Sequence, residues 1–309
     1  MKIMHLAILA FFVVGSSTIF TVRNFTEKIS GKNVLLKIES NNEVNSGLQA
    51  NPVLTGSNVF PILSAQSVVA KDLDSKVVLY EKNPQGTLYP ASTTKIITAI
   101  VALEHFDPDR ILTVGNRYIE GQKMGLLPGE RIKISDLLYG LLVYSANDAA
   151  ETLADNYKGG RDVFISEMNS KASKIGLEST FFKNPTGLDE EGHVTTAEDL
   201  AKASEFAMKS EFIRVAVATK TKEVKSADGL IVHNLENVNE LIGSVDGVFG
   251  VKTGWTENAR ENLITYVQRE GRTISIVLLG SQDRFGETKE LIEWIFENYD
   301  WESSRVSAG

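Results

Sequence analysis

The chain has 309 residues, a formal charge of −8 and no cysteine. Disulfides, thiolate catalysis and cysteine-held metals are therefore excluded, and so acidic a chain lacks the basic face that a general nucleic-acid binder needs. The length suits one large domain or two lobes plus extensions. The four histidines (His5, His105, His193 and His233) include no i,i+4 pair. No metal-ligand spacing is present, and neither a metal nor a cofactor is expected.

Met1 and Lys2 precede an apolar run from Ile3 to Val22, unbroken from Leu6 to Val14. A run of this kind at the start of a chain reads as a signal peptide or an uncleaved membrane anchor, here residues 1–23. Small-residue cleavage sites at Val13-Val14-Gly15 and Gly15-Ser16-Ser17 are only fair matches, which favours the anchor. Residues 24–61 read as a linker, polar around Asn41 to Gly47, with Val34 to Ile38 as a candidate short strand. The folded domain is expected over 62–300, followed by a tail at 301–309.

Gln66 to Leu73 and Lys76 to Glu81 pattern as two strands around a turn at Asp72 to Ser75. After Pro90, Ile96 to Leu103 is apolar on nearly every face, the mark of a central buried helix. Ser135 and Asp136 are placed to cap a second apolar helix through Leu137 to Tyr144. Ala149 to Tyr157 and Val163 to Ile175 read as helices, the latter stopped by Gly176. Thr195-Thr196-Ala197-Glu198 resembles a capping box that opens a helix over Glu198 to Met208. Gly247 to Thr253, Leu263 to Gln268 and Thr273 to Leu279 are strand-like, with a hairpin at Glu270-Gly271. A final amphipathic helix places Leu291, Ile292, Ile295, Phe296 and Tyr299 on one face. Strands, then helices, then strands, then a helix is not a repeating βαβ order. It predicts an α/β (α+β) fold: an antiparallel sheet built from both ends of the chain, flanked by helices, with a mainly helical lobe inserted.

Three short sequences carry the chemistry: Ser92-Thr93-Thr94-Lys95, Ser145-Ala146-Asn147 and Lys252-Thr253-Gly254. Three residues along a helix bring two side chains onto one face, so Lys95 can reach the Ser92 hydroxyl. A serine hydroxyl is a poor nucleophile until a neighbour takes its proton. Lysine can be that base only when neutral, and burial plus a nearby cation, here Lys252, both push it that way. Taken singly, each motif has a plain structural explanation: a helix cap with a solvated lysine, a loop, a strand end. Ser40-Asn41-Asn42 also matches S-x-N, but in the linker. Order and context separate the trio from chance. The first motif opens a buried helix, the second follows an apolar helix, and the third lies on a strand before a hairpin.

The set S-x-x-K, S-x-N, K-T-G is shared by β-lactamases and penicillin-binding proteins. Tyr89 to Glu104 further resembles the active-site segment of the D-alanyl-D-alanine carboxypeptidases, the S11 serine peptidases among the low-molecular-mass penicillin-binding proteins. Asn184-Pro185-Thr186-Gly187-Leu188 and His193 to Asp199 resemble signatures of the same family. The resemblance covers about residues 62–300 and stops there, so the C-terminal β domain and membrane helix of some members are expected to be missing.

The resemblance implies removal of the terminal D-alanine from the peptidoglycan pentapeptide through a Ser92 acyl-enzyme, with β-lactams as covalent inhibitors. It implies Lys95 as base and Ser145 as proton relay. Asn147 would bind the substrate amide, and Lys252 and Thr253 the terminal carboxylate. Gly254 would let the substrate lie against the strand, and the N–H groups of Ser92 and Trp255 would hold the oxyanion. Arg284 stands where relatives carry a carboxylate-binding arginine, although an exposed loop arginine explains it equally; Trp255 reads as substrate cover or plain rim, and His193 as structural. One departure is Ala259-Arg260, where relatives have Ala-Gly, which puts the local turn in doubt. The location implied is outside the cytoplasmic membrane, in the cell envelope. It would be membrane-held through residues 3–22, or secreted if that segment is cleaved. Two rivals remain. A class A β-lactamase needs a Glu-x-x-Leu-Asn loop, which the chain lacks; a non-catalytic β-lactam or peptidoglycan sensor would not need Ser92, Lys95, Ser145 and Lys252 intact. A DD-endopeptidase is a variant within the same chemistry.

Overall fold

The structure is a computed structural model that describes residues 50–56 and 59–303. The apolar run Ile3 to Val22 and the candidate strand Val34 to Ile38 lie outside these residues. Among the described residues no helix is long and apolar enough to cross a membrane.

The first strand, β1, is Ala50–Leu54, inside the stretch read as linker. β2 (Ser67–Asp72) and β3 (Val78–Lys82) form the expected hairpin. A single turn of 3-10 helix, Ala91–Thr94, leads into α1, Lys95–His105, which is buried along most of its length. A two-stranded ribbon of β4 (Ile111–Thr113) and β5 (Arg131–Lys133) precedes α2 (Ile134–Val143). Then come α3 (Asn147–Asp155), α4 (Arg161–Lys174), α5 (Ala197–Ala207) and α6 (Glu211–Ala218). The ribbon β6 (Thr221–Lys225) and β7 (Val232–Glu236) follows. The last described elements are β8 (Val248–Thr256), β9 (Arg260–Arg269), β10 (Arg272–Ser281), α7 (Arg284–Asn298) and β11 (Tyr299–Ser303).

The five-stranded sheet has the order β3-β2-β10-β9-β8 and is antiparallel throughout, so both ends of the chain build it as expected. Its middle strands are covered on both faces, which is why they read as continuous apolar runs. On β10, Ile274, Ile276 and Leu278 pack with Leu291, Ile292 and Ile295 of α7. Val277 and Leu279 face the other way, into the helical lobe around α1. The β9–β10 hairpin closes through Glu270 and Gly271, both at positive φ (51° and 75°), the two-residue turn whose twist matches antiparallel strands.

Four expectations are corrected. β1 pairs with β11, residue Ala50 with Ser303, so the folded part extends beyond 62–300 at both ends. Neither strand shows alone, because among the described residues each pairs only with the other, far away in sequence, and Pro52 is tolerable only at an edge. Tyr299 belongs to β11, not to the last helix. Ser135 and Asp136 do not cap α2: the chain enters from β5, and Arg110 O and Pro108 O accept from Ile134 N and Ser135 N, so no side-chain cap is needed. The cap of α5 is Thr196, whose hydroxyl accepts from Asp199 N.

The departure at Ala259-Arg260 has a structural counterpart. Residues 257–259 form a three-residue loop between β8 and β9, and Arg260 follows at φ 56°, the left-handed position that such loops normally give to glycine. Relief of this strain outweighs the extra freedom that glycine gains on unfolding. Arg260→Gly is therefore expected to stabilise the fold by about 0.5 kcal/mol. Urea unfolding reads the result: a raised midpoint is expected, and a lowered one would refute the strain.

Candidate active site

Ser92 sits in the 3-10 turn and Lys95 opens α1. With three residues per turn, positions i and i+3 eclipse, and Lys95 Nζ lies 2.8 Å from Ser92 Oγ. The turn is held in an uncommon backbone state: Ala91 has φ 47°. One neighbour holds it and two glycines leave it room. Asn262, fully buried on β9, donates to Tyr89 O (2.9 Å) and Pro90 O (3.0 Å), and its Oδ1 accepts from Gly280 N on β10 (2.9 Å). Gly254 has no room for a side chain: a Cβ there would stand 3.0 Å from Ser92 N and from Ala91 Cβ. Gly187, at φ 90°, would drive a Cβ into Ala91 O.

The second motif lies between α2 and α3. Ser145 has φ 63°, and Asn147 is the first residue of α3. The third lies on β8. Lys252 Nζ donates to Ser145 Oγ (2.9 Å) and to Thr253 O (3.0 Å). Asn147 Nδ2 donates to Glu120 O (2.7 Å), while its Oδ1 is buried without a partner.

Lys95 and Lys252 are both essentially inaccessible, at 0% and 1% exposure, yet neither meets a carboxylate of the described residues within ion-pair distance. Burial, reinforced by the charge of Lys252, holds Lys95 well below the usual lysine range; Glu151 and Asp148 pull weakly the other way. Lys95 also donates to Thr186 O (2.5 Å). Burial and the charge of Arg284 lower Lys252 to about 7. Burying two amines costs the fold stability, and such costs concentrate at sites of chemistry.

These groups open onto one cleft of about 610 Å³. Ser92, Ser145, Asn147, Thr253, Gly254, Trp255 and Arg284 line it, and Lys95 and Lys252 lie buried beside the two serines. All the residues singled out in the three motifs are therefore together. Arg284 is not an exposed loop arginine. It donates to Gly254 O (3.0 Å), stacks on Phe285, and keeps its Nε buried without a partner. Trp255 is 64% exposed at the cleft rim and belongs to no core. His193 stands behind the site, its Nε2 3.1 Å from Thr94 Oγ1, and burial lowers it to about 4, so it is neutral at pH 7.

Asn262, Asn184 and Asp148 escaped the sequence reading. Asn184 Oδ1 accepts from Thr186 Oγ1 (2.9 Å) and Gly187 N (2.8 Å), shaping the turn whose Thr186 carbonyl receives Lys95. Its motif was visible, but its role was not. Asn262 offered one signal, a polar residue entering an apolar strand.

The profile of the family described as D-alanyl-D-alanine carboxypeptidase matches residues 55–283. The chain is 33% identical over 252 residues to D-alanyl-D-alanine carboxypeptidase DacF of Bacillus subtilis, covering 76% of this chain and 63% of that protein. It is 34% identical over 253 residues to DacB2 of Mycobacterium tuberculosis, covering 78% and 85%. Among solved structures, that of the Streptomyces K15 DD-transpeptidase aligns with a TM-score of 0.73 at 29% identity, over 77% of this chain and 99% of that one.

Proposed function

This chain belongs to the D-alanyl-D-alanine carboxypeptidase family, and from that premise we propose that it removes the terminal D-alanine from peptidoglycan stem peptides through an acyl-enzyme on Ser92. The observation that carries the reading is a buried, depressed amine 2.8 Å from a cleft-facing serine hydroxyl.

Ser92 Oγ attacks the carbonyl carbon of the D-Ala–D-Ala bond and its proton passes to Lys95 Nζ. The N–H groups of Ser92 and Trp255 face the developing oxyanion, each worth about 3 kcal/mol. The C–N bond breaks, and the departing D-alanine takes a proton through Ser145, whose oxygen accepts from Lys252. Water then attacks the ester carbon and frees Ser92. Asn147 binds the acyl amide, and Lys252, Thr253 and Arg284 bind the terminal carboxylate. Supporting the last role, the cationic end of the cleft holds the unpartnered Nε of Arg284. β-Lactams acylate the same serine. The reaction takes place outside the cytoplasmic membrane, with residues 3–22 as the anchor, a reading that rests on the apolar run alone.

The pH profile of D-alanine release from a Lys-D-Ala-D-Ala tripeptide tests this assignment. Lys95 works neutral; its affinity for protons is lowered, so activity is present far below the ordinary lysine range and falls on acidification as the amine charges. Lys252 works charged, and in the free enzyme it loses its charge as pH rises through about 7. The expected kcat/KM profile is a bell. A bound carboxylate favours charged Lys252, so the alkaline limb of kcat lies at higher pH than that of kcat/KM. A flat kcat/KM from roughly pH 5 to 9 contradicts the Lys252 role, and a rate that never falls on acidification contradicts the Lys95 role.

A further inference from the structure

One wall of the cleft is formed by Glu120, Gly121 and Gln122, within residues 114–130, which run from β4 to β5 without helix or strand. Nearly all of this segment is exposed or half-buried; Val114 and Glu130 at its ends are the buried exceptions. Its outer side borders a second cavity, lined in part by Arg117, Tyr118 and Lys123, and of residues 115–129 Met124 and Leu126 pack against the core, so apolar packing alone holds little of it. A long irregular loop at a site needs specific bonds to hold one shape.

Those bonds converge on the start of α3. Asp148, 5% exposed, accepts from Met124 N (3.1 Å), Gly125 N (2.9 Å) and Leu126 N (3.0 Å), three consecutive loop amides on one carboxylate. It also accepts from Ala149 N at the helix start (3.0 Å). Next to it, Asn147 N donates to Gln122 O (2.7 Å) and Asn147 Nδ2 to Glu120 O. The β7 residue His233 holds the same loop from behind, with Nδ1 3.1 Å from Met124 O and Nε2 2.7 Å from Glu130 Oε1.

We propose that Asp148 is a positioning residue for the hydrolysis, fixing loop 120–126 against α3 and thereby setting both the Asn147 amide and the cleft wall. The inference rests on the functional reading above. A carboxylate suits the task because it accepts several N–H bonds at once, and charge-assisted bonds are the stronger kind. An amide in its place loses one acceptor and adds a donor pair facing backbone N–H groups.

Asp148 has a second effect on the site. Its charge, with that of Glu151 on the next turn of α3, favours protonated Lys95, whereas Lys252 opposes it. Glu151 is partly neutralised by Arg161 (2.7 Å), and Arg117 stands 3.9 Å away. Removing the Asp148 charge therefore leaves Lys95 harder to protonate, and the acid limb of the pH profile moves to lower pH.

The test compares Asp148→Asn with wild type in D-alanine release and in penicillin acylation, across pH, below the unfolding transition of both proteins. The expected result is a loss of roughly tenfold or more in kcat/KM, with an acid limb displaced downwards. Hydrogen exchange on the wild-type protein supplies a readout independent of the variant: the amides of 124–126 exchange slowly although most of the surrounding loop is exposed. Unchanged kinetics with an unmoved acid limb would overturn the proposal, and so would fast exchange at those three amides. If wild type released no D-alanine and took no penicillin, the functional reading itself would fall, and the amide exchange would still report on the clamp.

Discussion

Ser92→Ala is expected to lower D-alanine release by roughly four orders of magnitude or more, because the residue that forms the covalent bond acts as a unit with its base. The substitution removes one oxygen from a half-buried position and leaves the 3-10 turn intact, since Asn262 holds it by backbone carbonyls and Gly187 and Gly254 leave it room. Folding is therefore preserved, and a thermal melt should match wild type closely. The cationic end of the cleft is also untouched, so the variant still binds the peptide without cutting it. An equally inert wild type that binds the peptide would instead favour a sensor.

Lys95→Met gives the second large effect. The methionine fills nearly the same volume without an amine, so the buried site keeps its packing while Ser92 loses its proton acceptor. General-base contributions are typically about 10²–10⁴-fold, and both D-alanine release and penicillin acylation should fall by that much. Stability should move the other way or not at all. The wild type buries Lys95 close enough to Lys252 for the charge of Lys252 to be felt there, and replacing a buried, uncompensated amine by a well-packed apolar chain is neutral or favourable. A variant that acylates at the wild-type rate would remove Lys95 from the mechanism; one that melts far below wild type would show that the amine supports the fold instead.

The parts of the site that were legible in the sequence are those set by local geometry. S-x-x-K places an amine over a hydroxyl because i and i+3 share a face, and the apolar Ile96 to Leu103 announces burial before any coordinate is seen. The sheet was legible for a related reason: β9 and β10 are covered on both faces, and Glu270-Gly271 is a strong turn signal. What was not legible depends on partners distant in the chain. Asn262 works by reaching Tyr89 O and Pro90 O, and Asp148 by collecting amides from a loop that has no periodicity of its own. Gly254 illustrates the difference. From its motif it reads as a place for substrate to approach, whereas in the fold it also lets β8 close against the turn that carries Ser92. Strands β1 and β11 were missed because each pairs with the other across almost the whole described chain.

Mass spectrometry of the protein after penicillin labelling tests the central claim most directly. The account predicts one added penicilloyl group, found on the peptide that contains Ser92 and missing in Ser92→Ala. A label on any other residue, or none under conditions where the protein is folded, would contradict it.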